Sequence, residues 1–219
     1  MHVYLRRLLP TVILFLFCAI TQLSAQTDWK LRTEKDGIKI FSSEVSYSKV
    51  KALKVECNFK ASATQLVAAL LDIKNSPKWI YHTKSATLVK QVSPSELYYY
   101  SEVFLPWPVE NRDFVAHLTV TQNKETKVVT MDGPAVPGYV DLKDGIVRIQ
   151  KSKGEWVITP LTKNEVKVIY TLQVDPGGLL PPWLVNLLAT EGPLQTFKNL
   201  KIAVQNPAYK TVKYAFITE

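Results

Sequence analysis

Cysteine is scarce in this chain, and its scarcity is the first constraint. Of two cysteines in 219 residues, Cys18 lies in an N-terminal apolar run and Cys57 stands alone in the body of the chain, so no intramolecular disulfide framework is available. Histidine is hardly more abundant. Beyond His2, only His82 and His117 occur, far apart and without Cys or Asp neighbours at metal-ligand spacing, which argues against a metal site. No nucleophile elbow, phosphate loop or paired-cysteine motif is present, and no cofactor is expected. Charge of one sign is not concentrated. The 27 basic and 19 acidic residues give a formal charge of +8, but no basic run interleaves with stacking aromatics, so nucleic acid is not an expected partner. The charge is compatible with transient approach to an anionic bilayer. The chain therefore depends on a packed core, for which 47% apolar and 11% aromatic residues suffice.

The first 25 residues read as an export signal. Arg6 and Arg7 form a basic start, Leu8 to Ile20 is apolar apart from Pro10 and Thr11, and Leu23-Ser24-Ala25 offers a small residue at a cleavage point. The run is short for a membrane span of about 20 residues, although an uncleaved anchor is an alternative. Periplasmic or extracellular location is expected. Residues 26–206 are the size of one domain, and residues 207–219 form a tail after Pro207 that either adds a small strand or stays loose.

Strand grammar dominates the middle of the chain. Asp36-Gly37 is a turn signal before the alternation of Ile38 and Ile40. In residues 50–59, Leu53, Val55, Cys57 and Phe59 share one parity against Lys54 and Glu56. At Ser62 the period changes to helical, with a capping box over Ser62 to Gln65 and an expected stop before Asn75-Ser76-Pro77. Strands are then expected at 82–92 and 96–104, followed by a rigid bridge, Leu105-Pro106-Trp107-Pro108, and a hairpin over 113–122 and 127–131. Residues 146–151 and 155–159 read as the next pair. Residues 165–174 close the sheet with the cleanest alternation: Val166, Val168, Tyr170, Leu172 and Val174 share one face. Two strands, a helix, six or seven antiparallel strands in meander and a long C-terminal helix give an α+β grip, a curved antiparallel sheet wrapped around the last helix.

That last helix has two unlike halves. Asp175-Pro176-Gly177-Gly178 is turn chemistry, Pro182 suits a first helical turn, and the run from Trp183 to Ala189 is apolar on nearly every side except Asn186. Gly192-Pro193 should kink or interrupt the helix, beyond which Leu194, Phe197, Leu200 and Val204 make a narrower stripe. The first half reads either as a cover over an apolar cavity or as a buried core helix. As a cover, it would hinge at Gly177-Gly178 and Gly192-Pro193.

Tyr100-Ser101-Glu102-Val103, Pro106-Trp107-Pro108 and Asn111 to Val115 (NRDFV) follow in an order that resembles the START family, the steroidogenic-acute-regulatory-protein-related lipid-transfer domains, and within it the phosphatidylcholine-transfer branch. Asp36-Gly37-Ile38, Asp72 with Trp79, Val147-Arg148 with Trp156 and Pro160, and Asp175 to Gly178 with Pro181, Trp183 and Asn186 extend the likeness from Trp29 to Lys201. The resemblance implies a helix-grip fold, related to the birch-pollen allergens, with a hydrophobic tunnel for one lipid and a gate formed by the C-terminal helix. One position departs. Many members carry a second arginine six residues after that of the Arg-Asp-Phe motif, near the glutamate matching Glu102, and here Leu118 stands there. Glu102 then lacks that partner, with Arg112 or Arg148 as substitutes.

The expected ligand-lining residues are Tyr100, Glu102, Arg112, Leu118, Arg148, Trp183, Leu184, Leu187 and Leu188. Glu102 shares its strand face with Tyr98, Tyr100 and Phe104, so an inward face puts a carboxylate among aromatic rings, where it needs a partner, water or protonation. Arg112 and Asp113 open a strand and read first as bridges between neighbouring strands. The reading is a monomeric, exported lipid-binding or lipid-transfer protein, not an enzyme. The alternatives are a grip-fold enzyme of the aromatase or cyclase kind, using Glu102, His117 or a tyrosine, and a lipid-responsive sensor.

Overall fold

The computed structural model describes residues 28–44, 52–178 and 180–219, apart from the side chains of residues 182, 186 and 187. The export signal expected over residues 1–25 lies outside the described residues. The first strands β1 (Lys30–Lys35), β2 (Ile38–Ser43) and β3 (Ala52–Phe59) form a meander. Asp36 and Gly37 make the first turn at φ 54° and 67°, the left-handed conformation in which Gly is free of a Cβ clash. The parity predicted for β3 is observed: Leu53, Val55, Cys57 and Phe59 are buried.

Helix α1 (Ala63–Leu71) begins where the capping box places it, with the Ser62 hydroxyl accepting from the Gln65 amide. It ends before Asn75-Ser76-Pro77, as expected. The helix stops at Leu71, and Asp72 caps a following 3₁₀ turn (Ile73–Lys78) by accepting from the Asn75 amide. Pro77 is tolerated because that short turn does not require its missing N–H.

Strands β4 (Thr83–Ser93), β5 (Glu96–Val103), β6 (Asn111–Gln122), β7 (Val129–Pro134), β9 (Lys151–Thr162) and β10 (Glu165–Asp175) complete the main sheet, in the order β1-β2-β3-β10-β9-β7-β6-β5-β4. β10 thus sits between β3 and β9 and ties the two ends of the chain's strand sequence together. The pairing expected for residues 146–151 is corrected. Strand β8 (Ile146–Arg148) runs parallel to β6 with Arg148 opposite Asp113, while β9 starts at Lys151 and pairs with β7 and β10. The cause is a buried ion pair: Arg148 donates to both Asp113 oxygens, at 2.6 and 3.1 Å, and this fork fixes the three-residue strand to β6.

The curved sheet grips the C-terminal helix. Helix α2 (Pro182–Asn186) passes through a π-helical turn (Leu187–Glu191) into α3 (Gly192–Ala203). The interruption expected at Gly192-Pro193 takes this form, because proline has no N–H for the regular ladder and the wider turn absorbs the defect. On α3 the stripe of Leu194, Phe197 and Leu200 is buried, and Val204 caps it, also buried. Phe197 packs among Trp156 at 5.4 Å, Tyr170 at 5.9 Å and Phe59 at 6.3 Å between ring centroids.

The tail is neither a strand nor loose. Asn206 caps helix α4 (Pro207–Lys210), and the Tyr209 hydroxyl donates to Asp72 at 2.9 Å. At the chain's end, Thr218 donates through its amide to Gln122, and a Glu219 carboxylate oxygen accepts from the Thr64 amide at the start of α1.

Candidate functional site

A cavity of about 310 Å³ lies between the sheet's concave face and the helices. Its wall follows from strand alternation. β10 contributes Tyr170, Leu172 and Val174, the inner continuation of the parity that buries Val166 and Val168 nearer the strand's start. β5 contributes Tyr99, Ser101 and Val103, and β6 contributes Arg112, Phe114 and Leu118. These sets agree with the register, which pairs Ser101 with Phe114 and Val103 with Arg112. From the last helix come Leu188, Ala189, Thr196 and Phe197, with Leu180 from the segment before it.

The parity expected for β5 is therefore reversed. Glu102 and Tyr100 point to the outer face, across from Asp113 and Val115. Glu102 is only 6% exposed, yet its carboxylate is satisfied there by Lys84 Nζ at 2.7 Å and Asn111 Nδ2 at 3.0 Å. The hydrogen bond from Lys84 holds its carboxyl below the usual range, against the opposing effect of burial. Residues 135–145 cover this outer face. Tyr139 stacks on Tyr98, and Tyr98 on His117, each at 4.3 Å, while Lys143 lies over the Tyr100 ring at 4.2 Å. Arg148 belongs to the same side: besides Asp113, it donates to the carbonyls of Val140 and Asp141. Tyr100, Glu102 and Arg148 thus form the sheet's polar backing, because β5 is buried on both faces and its inner one carries Tyr99 and Ser101.

Of the other expected residues, Arg112, Leu118 and Leu188 line the cavity. Leu184 is fully buried beside it without forming its wall, Trp183 is 47% exposed, and the Leu187 side chain lies outside the described residues. Trp79, Trp156, Tyr99, Tyr170 and Phe197 were not anticipated in the wall. For Tyr170 the signal was present in the alternation of β10. For Trp79 no periodic signal existed, since it follows the 3₁₀ turn.

Polar atoms are few within this wall. Trp79 is 4% exposed and its indole N–H, itself buried, has no hydrogen-bond partner among the described residues. Burial pushes the Tyr99 hydroxyl up to about 12 and raises that of Tyr170, so both are neutral at ordinary pH. Among the described residues, the wall contains no carboxylate, histidine or thiol. Arg112 is its one charged side chain among the described residues. The guanidinium is 4% exposed, and it donates from Nε to Pro176 O at 3.2 Å, from Nη1 to Glu110 O at 2.6 Å and from Nη2 to Gly177 O at 3.1 Å.

A curved ten-stranded sheet closed over an apolar chamber by a C-terminal helix defines the helix-grip class. The START domain matches residues 21–210, and the chain belongs to this family. It is 35% identical to an uncharacterised Pseudomonas aeruginosa protein over 81% of this chain and 87% of that one. It is 29% identical to the phosphatidylcholine transfer protein of Rattus norvegicus, over 89% of this chain and 92% of the relative. Among solved structures, a STAR-related lipid transfer protein fragment from Xanthomonas axonopodis superposes with a TM-score of 0.74 at 33% identity, covering 81% of this chain and 99% of that one.

Proposed function

We propose that this protein is an exported, monomeric lipid carrier that holds one hydrophobic ligand in the cavity and admits it by movement of the first half of the C-terminal helix. The carrying observation is the wall itself: an apolar chamber closed by that helix, with no pair of acid and base groups converging inside it among the described residues. Such a wall favours binding over catalysis. The rat and Xanthomonas relatives, both named for lipid transfer, support the same reading.

The energetics agree. Each buried CH₂ contributes about 0.8 kcal/mol, so a chain of about 16 carbons contributes on the order of 13 kcal/mol before ordering costs. The present volume is at the lower end of the roughly 300–1,000 Å³ of small-molecule sites, so a two-chain lipid requires outward movement of the gate.

Membrane contact is assigned to the bridge after β5. Trp107 is 90% exposed, and Phe104 and Trp183 are also exposed. Arg112 connects this bridge, through Glu110, to the turn at Pro176 and Gly177, which supports a membrane contact next to that turn. An exposed indole of this kind inserts at headgroup depth. The export part of the proposal rests on residues 1–25. It is consistent with Cys57, whose thiol is buried and pushed up to about 12 by desolvation, and is therefore protected from oxidation.

Native mass spectrometry of the purified protein, together with transfer of a fluorescent phospholipid between vesicles, tests the carrier reading. A co-purified or transferred amphiphile in 1:1 ratio is expected, with Trp107→Ser slowing transfer from membranes while leaving the fold intact. Absence of uptake from any vesicle would refute it.

A further inference from the structure

Two buried arginines distinguish the two faces of the sheet. Arg148 is neutralised by a bidentate carboxylate, whereas Arg112 contacts only backbone carbonyls among the described residues. Its neighbour Asp113 cannot help, because adjacent residues of a strand point to opposite faces and Asp113 is already engaged by Arg148. The carboxylate of Glu110, a residue exposed on the bridge, acts on Arg112 only through space, its backbone carbonyl being the group that accepts the hydrogen bond. The cation therefore faces an apolar chamber with carbonyl dipoles as its compensation. A guanidinium has five N–H donors, and three are used here, leaving part of the fork for another acceptor.

Two of the three carbonyls belong to Pro176 and Gly177, at the root of the last helix. Gly177 and Gly178 stand at φ 68° and 66°, where glycine rotates without a Cβ penalty, and a Cβ on Gly178 would lie 3.5 Å from Arg112 Nη2. The arginine thus touches the cavity and the hinge at once.

We propose that Arg112 is an anion-responsive latch: it binds the phosphate or carboxylate oxygens of an incoming acyl lipid and, in doing so, releases the Pro176 and Gly177 carbonyls that root the gate. This rests on the lipid-carrier reading and adds the ligand's polar chemistry to it. Charge-assisted bidentate bonds to an anionic oxygen pair are stronger than bonds to neutral carbonyls, so the exchange of partners is downhill once the headgroup arrives in the chamber. Leu118, without charge on the same strand face, leaves Arg112 to read the headgroup alone. A neutral lipid of the same chain length displaces the helix as it enters but leaves Arg112 on the Pro176 and Gly177 carbonyls.

The test uses the full chain and vesicles doped with a fluorescent phosphatidic acid, fatty acid or diacylglycerol of matched chains. Wild type is expected to take up the two anionic lipids about tenfold or more tightly than diacylglycerol. Arg112→Gln should erase that preference, bringing the two anionic lipids to the level of diacylglycerol, and Arg112→Lys, which keeps charge without the fork, should restore only part of it. In wild type, hydrogen exchange at the amides of Gly177, Leu184 and Val185 should rise on loading with anionic lipid and not with diacylglycerol. Equal uptake of all three lipids by wild type, or unchanged exchange at these amides, overturns the latch while leaving the carrier reading intact. Uptake of no lipid overturns both. Inorganic phosphate alone should leave the amides unchanged; if it reproduces the full effect, the site serves free phosphate and the lipid assignment fails.

Discussion

The two halves of the C-terminal helix are held by different physics. From Thr196 onward, α3 is tied to two connections of the sheet: to the segment before β4, where Thr196 Oγ1 accepts from the Tyr81 amide and Asn199 donates to Trp79 O, and to the β1–β2 turn, where Lys198 pairs with Asp36 at 2.6 Å. Phe197 adds the aromatic contacts. The stretch from Leu180 to Glu191 has no side-chain hydrogen bond or ion pair to the sheet among the described residues. It is held by Leu184 and Leu188 and by the turn that Arg112 clasps. Directional bonds fix one end, while non-directional apolar contact lets the other end slide. Low local stability is what the proposed gate requires.

The largest expected contrast comes from truncating one aromatic ring. Phe197→Ala should cost about 3–5 kcal/mol in urea unfolding, because the ring is fully buried among three others. Leu188→Ala should cost less than the roughly 2–5 kcal/mol of a packed leucine, since its side chain already faces open volume, yet it should shorten lipid retention measured by dilution. An equal stability loss at both sites would erase the distinction between anchor and gate. The smallest effect concerns Asp36. Its carboxyl is held below the ordinary value chiefly by the hydrogen bond from Lys198. The stabilisation it contributes is present above the ordinary carboxylate value and is lost as pH falls through the lowered one. Asp36→Asn should remove that part of the acid dependence, seen as a flatter low-pH limb in thermal melts, without changing lipid transfer.

Much of this contrast was legible from residues. The Leu194, Phe197, Leu200 and Val204 stripe marks a docked helix, Ser62 marks the start of α1, and β10 alternates cleanly because only one of its faces meets the core. The site was less legible, and β5 shows why. Both of its faces are buried, one against the cavity and one under residues 135–145, so Tyr98-Tyr99-Tyr100 and the flanking residues carry no polarity contrast from which to choose the inward set. Glu102 enters the expected site through the family resemblance, which the strand pattern has no contrast to check, and only the partners Lys84 and Asn111 show where it sits. The parallel pairing of β8 depends on Asp113 and Arg148, 35 residues apart, a contact that no local pattern encodes. Arg112 was visible as a motif residue, but its hold on the turn at Pro176 required the fold.

Electron-spin distance measurements on the full chain test the two-halves account most directly. Spin labels at Trp183→Cys on the first half and Ile202→Cys on the second use exposed positions, at 47% and 76% accessibility, and each is paired with a reference label at the exposed Lys90→Cys on β4. On mixing with phospholipid vesicles, the 90–183 distance distribution should broaden and shift by several ångströms, on the order of a lid or hinge displacement, while the 90–202 distribution stays unchanged. Lipid uptake with both distances fixed, or with both moving together, would contradict the claim that the first half of this helix is the gate.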